Sequence, residues 1–138
     1  MDRDQTMRRA LNASVFFNLG GALLFAFPES IGQLAGLPTP VPAVYSLTIA
    51  FLVTLFAAAY GWLARQPVID RPLVTMLAIG KAGFFTVVLL CWLFGAASTL
   101  SLVAAAGDLM FAAIFIWWLV GEPAPAVAVG SPVGPSRG

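Results

Sequence analysis

Residues 72–120 read PLVTMLAIGKAGFFTVVLLCWLF-GAA-STLSLVAAAGDLMFAAIFIWWLV, and this stretch decides the fold. It holds two apolar runs, 72–94 and 98–120, each longer than the ~20 residues a helix needs to cross a bilayer. Only Gly95, Ala96 and Ala97 separate them. A turn that short predicts antiparallel neighbours, and Ser98 is a natural N-cap for the second. Each run carries one charge near its middle, Lys81 in LAIGKAGFF and Asp108 in AAAGDLMFA. Charge at such depth costs roughly 2.5–3.5 kcal/mol on insertion scales, so each demands a partner or a task.

The rest of the chain repeats the pattern. Residues 10–28 form a first apolar run, preceded by MDRDQTMRR, a polar cytoplasmic N-terminus with Arg3, Arg8 and Arg9. The run lacks a small-residue cleavage pattern, and Pro28 closes it, so it reads as a retained helix rather than a signal peptide. Residues 43–64 form another, with Tyr45 at one end and Tyr60 and Trp62 at the other, where aromatic belts are expected. Trp117 and Trp118 suggest the matching belt of the last span. Between the first two runs, PESIGQLAGLPTPVP (28–42) predicts a short interfacial helix that Gly36 stops, then a stiff proline-rich link. Residues 121–138, rich in Pro, Gly, Ala and Val, show no helical period and read as a disordered cytoplasmic tail.

Composition agrees. Of 138 residues, 60% are hydrophobic and 9% charged, with mean hydropathy +0.93, where a soluble domain carries about 25% charged residues. The expectation is an all-α integral membrane bundle of four helices, multi-pass in the inner (cytoplasmic) membrane. Arginines set its orientation. The N-terminus and the 65–71 link carry them, while 28–42 and 95–98 carry none, which predicts both termini inside.

The same composition narrows function. The chain has no histidine and a single cysteine, Cys91. His-ligated haem, zinc and copper, Ser-His-Asp and Cys-His catalysis, and a CxxC pair are all excluded. No cofactor and no metal site is expected. A net charge of +1 leaves no basic field for nucleic acid. Expected partners are the bilayer itself and other membrane subunits or a second copy of the chain. IGKA resembles the end of a phosphate loop, but Thr75 stands where glycine is needed and Ala82 where Ser or Thr is.

The candidate site is a set of polar side chains at mid-membrane: Lys81 and Asp108, with Asn18 and Ser14 from the first span, Thr48 from the second and Ser101 from the fourth. Antiparallel packing across the short turn brings Lys81 and Asp108 to similar depth, each close to the middle of its span. Ala104, Ala105 and Ala112 share the Asp108 face and allow close approach. Two readings stay open. A buried ion pair fixes helix register, or one of the two charges titrates, carries a proton or binds a substrate group.

NLGGALLFAFP (18–28), Gly80-Lys81 and Gly107-Asp108 ahead of an aromatic helix end resemble the small four-span bacterial proteins of the DoxX-like group. The resemblance covers about residues 8–120 and implies the four-span fold. Some members of that group are linked to redox or quinone-associated complexes. Three functions follow as expectations. The first is an accessory or structural subunit of a membrane complex without catalytic machinery. The others are a small proton-coupled carrier using Lys81 and Asp108, and a quinone- or lipid-associated enzyme.

Overall fold

The computed structural model describes residues 2–121, so the tail assignment for 122–138 lies outside the described residues. Four long helices follow one another: α1 (Arg3–Ala26), α2 (Ala43–Ala64), α3 (Arg71–Leu93) and α4 (Thr99–Leu119). All four are long and apolar enough to cross a membrane, and no strand occurs among the described residues. The chain is thus an all-helical, multi-pass membrane bundle.

Local chemistry explains the helix ends. Asp70 Oδ1 accepts from the Leu73 amide at 2.9 Å, and Ser98 Oγ accepts from the Ser101 amide at 3.0 Å. Each satisfies a donor that the first helical turn leaves open. Pro72 stands in the first turn of α3, where its missing N–H costs nothing. α1 ends at Ala26 because Pro28 forces Phe27 out of helical geometry, to φ −126° and ψ 63°. The segment read as a short helix opens with a wide turn, Pro28–Gly32, closed by the Gly32 amide on the Phe27 carbonyl at 2.9 Å, and stays helical to Leu34.

Three readings change. The polar N-terminal residues are helical from Arg3, and Met7 is fully buried. Asp2 caps this extension, and Asp4 accepts from the Trp118 indole at 2.8 Å. Tyr60 is not a belt residue: it lies one turn from Ala57, on the inward face with Gly61 and Ala64, and is 2% exposed. Trp118 likewise turns inward, while Trp117 stays outside with the Arg3 guanidinium 4.6 Å above its ring.

The helices pack as two hairpins, α1 with α2 and α3 with α4, joined along α1 and α4. Packing is uneven along the bundle. Met7, Leu11, Leu63, Val74, Leu77, Phe115 and Trp118 form a continuous core. All lie at the end that holds the N-terminus and the 65–70 link. There is no hydrophobic drive between helices in lipid, so van der Waals fit at such a core is what holds them together.

Arginines close the same end. Arg8 donates to the Ala64 and Pro67 carbonyls at 2.7 and 2.9 Å, and Arg71 donates to the Leu119 carbonyl. Arg3 donates to the Trp117 carbonyl. The last carbonyls of α2 and α4 have no partners in their own helices, and cations there also meet the negative end of the helix dipole.

Candidate functional site

Lys81 is the only side chain of α3 drawn into the centre with a charge, and it meets all three other helices. Its Nζ donates to Asp108 Oδ1 of α4 at 2.7 Å and to Asn18 Oδ1 of α1 at 3.0 Å. The α2 contact is the Tyr60 ring, whose centroid is 5.1 Å from Nζ. Phe17 and Phe111 complete a box of three rings, at 5.0 and 5.1 Å. Lys81 is 3% exposed. Ion pair, amide and aromatic faces together replace the water that the ammonium gave up.

Neighbouring groups hold this centre in place. Asn18 Nδ2 donates to the Val53 carbonyl at 3.3 Å, which ties α1 to α2. Phe17 meets Phe111 edge to face at 5.5 Å, and Tyr60 lies 5.9 Å from Phe115. Ser14 is fully buried one turn from Asn18, and its hydroxyl is the one buried side-chain polar atom without a partner among the described residues.

Two of the sequence candidates fall elsewhere. Thr48 is exposed and its hydroxyl donates to the Val44 carbonyl of its own helix at 2.6 Å, so it does not join the cluster. Its backbone position turns it to the outside of α2, and the inward hydroxyl there is Ser46, which donates to the Phe25 carbonyl. Ser101 is buried but stands two turns from Asp108 along α4, about 10 Å away. Its hydroxyl donates to the Gly36 and Ala35 carbonyls, at 2.8 and 3.2 Å. Ser98 Oγ also donates to the Gly36 carbonyl at 3.0 Å, so the two serines pin the 28–42 connection to the start of α4.

Between that pinned connection and the Lys81 cluster lies a cavity of about 660 Å³. Asn18, Tyr60, Lys81 and Asp108 form its floor, and Ala35, Leu37 and Ser101 line the opposite end. Its walls are apolar, with Phe25, Val53, Phe56 and Phe84 prominent. The bundle therefore has a packed half and a hollow half, and the ion pair marks the boundary. The volume lies within the range of small-molecule sites, as does an apolar wall with few polar groups converging at one place.

Tyr60, Phe17 and Phe111 join the site only in the folded chain. Phe111 stands three residues after Asp108 on the same face, and Tyr60 follows the small-residue stripe of α2, so helical spacing carried a signal for both. Phe17 has no such signal, because its position depends on how α1 meets α4. No family model, no curated protein and no solved structure matches the chain.

Proposed function

We propose that this protein holds an apolar small molecule within the bilayer and does no chemistry on it, as an accessory subunit of a membrane complex. The observation that carries the reading is the 660 Å³ cavity, walled by apolar side chains and floored by the Lys81–Asp108–Asn18 cluster. The accessory role is supported by a sequence without histidine or a cysteine pair. Its resemblance to the DoxX-like group fits the same role. The arginine distribution supports an orientation in the inner membrane with the packed half and both termini cytoplasmic. On that orientation the cavity lies in the outer half of the bilayer, and the Pro28–Gly32 turn rests at the outer interface.

The test compares the wild type with Gly20→Phe, both excised with their native lipids. Gly20 lines the cavity, and a Cβ added there meets nothing within 4 Å, so a larger side chain is accepted at the cavity wall without a backbone clash. Mass spectrometry of extracted lipids and co-purifying polypeptides is expected to find an apolar species in the wild type that is depleted in Gly20→Phe. Identical extracts reject the reading.

Transport is the second reading, favoured by one-sided access to Lys81 and Asp108. The cavity reaches the pair from one end, while Leu77, Phe111 and Phe115 close the other. Coupled carriers place their sites at this depth. A pH-dependent flux into proteoliposomes that Asp108→Asn abolishes would favour it. A quinone- or lipid-processing enzyme has less support, because no nucleophile–base pair adjoins the cavity among the described residues.

A further inference from the structure

We infer that the cavity takes a neutral molecule ending in a hydroxyl, seated with that hydroxyl on Asp108 and Tyr60. This names the ligand class for the binding reading above and rests on it.

The floor of the cavity has hydrogen-bonding capacity that the protein leaves unused. Lys81 occupies Asp108 Oδ1, while no group among the described residues donates to Asp108 Oδ2. The Asp108 side chain keeps 13% of its surface exposed and Asp108 lines the cavity, so its free oxygen is open to a molecule seated there. The Tyr60 hydroxyl likewise has no hydrogen bond to the described protein, and Tyr60 lines the cavity. A carboxylate oxygen and a phenol thus face an otherwise apolar volume.

Charge then selects the head group. Lys81 already balances Asp108 at 2.7 Å, so the floor is neutral as a whole. A carboxylate head would meet the unoccupied Asp108 oxygen with like charge. An ammonium head would add a second cation beside Lys81 in a medium of low dielectric. An ether or ester head offers no proton to Oδ2. A hydroxyl donates to Oδ2 in a short charge-assisted bond and accepts from Tyr60. The size also constrains the body: at ~30 Å³ for a water-sized group, 660 Å³ holds about twenty heavy atoms. A long-chain alcohol and a short diacylglycerol share this chemistry.

The experiment uses full-length protein in phosphatidylcholine nanodiscs and a long-chain alcohol carrying a mid-chain diazirine. After photolysis, labelled peptides are mapped by mass spectrometry. Labels are expected on cavity residues such as Val53 and Phe84, and to disappear in Gly20→Phe. Excess hexadecanol or dioctanoylglycerol is expected to compete, and the stronger of the two names the source. Hexadecyl methyl ether and hexadecanoate are expected to compete at least about tenfold more weakly, the worth of one good hydrogen bond. Tyr60→Phe keeps the ring against Phe115 and is expected to weaken hexadecanol and the ether alike, about tenfold, because either oxygen accepts from the phenol, so the alcohol keeps its lead. Equal competition by alcohol and ether, with labelling still abolished by Gly20→Phe, overturns the ligand class and leaves the binding reading standing. Labels confined to lipid-facing residues, and unaffected by Gly20→Phe, overturn both.

Discussion

The ring of Phe17 lies directly on the backbone of Gly107, so close that a Cβ at Gly107 would stand 2.5 Å from both Cε2 and Cζ. The same ring offers its face to Lys81, 5.0 Å away. A residue without a side chain on α4 therefore decides where one wall of the ammonium's box can stand. Gly107→Ala raises helix propensity by about 0.5–1 kcal/mol, yet it must push Phe17 off the cation, and overpacking of this kind costs about 1–3 kcal/mol. The net expectation is a lower Tm in detergent; an unchanged or raised Tm would show that Phe17 yields freely.

Breaking the Lys81–Asp108 pair from one side leaves a charge without its partner at mid-bundle. Asp108→Asn and Lys81→Met are each expected to cost about 3–5 kcal/mol, while Lys81→Met with Asp108→Leu recovers most of the loss. The comparison is Leu109→Ala, one residue away and largely exposed. Reversible denaturation in mixed micelles measures all four. If Asp108→Asn is no more harmful than Leu109→Ala, the pair does not hold the bundle.

Gly36 and Gly95 both adopt positive φ, 72° and 75°, but only Gly36 is crowded. A Cβ at Gly36 would overlap the Ser98 hydroxyl that ties the 28–42 connection to α4, whereas one at Gly95 meets nothing within 4 Å. Gly95→Ala pays the left-handed backbone cost alone, about 1–2 kcal/mol. Gly36→Ala is expected to exceed it and to expose the 28–42 segment to protease. Equal shifts in Tm with equal proteolysis would remove the pinning role from Ser98.

Arg8 spans from α1 to the end of α2, with its guanidinium on the Ala64 and Pro67 carbonyls. Arg8→Met keeps most of the apolar stem and removes both bonds. The expected loss is about 1–2 kcal/mol, discounted for the solvent exposure of the Pro67 bond. Arg8→Lys, with no fork to bridge two carbonyls, should recover only part. Full recovery by lysine would reduce the contact to charge alone.

How much of this was legible differs by element. Helix number, the helix start at Ser98, and the existence of two mid-span charges follow from apolar run length and capping chemistry, which act within a few residues. The α1 start is hidden from local sequence because the polar N-terminal residues gain their partners, Trp117 and Trp118, from the far end of the described chain. Thr48 faces out and Tyr60 faces in, against their sequence positions, because α2 is apolar on every side and hydropathy does not say which face turns inward.

Apolar run length and two mid-span charges already dictate a four-helix membrane bundle, its hairpin turn at 95–97 and a pair of charges that must find each other, because lipid admits few ways to satisfy a backbone and a charge. Tertiary structure alone decided that three aromatic rings enclose Lys81, that one half of the bundle is packed, and that the other half holds a cavity above Asp108 and Tyr60. Those depend on the rotation of each helix about its own axis, which is set by side-chain fit between helices and leaves no periodic trace in a uniformly apolar sequence.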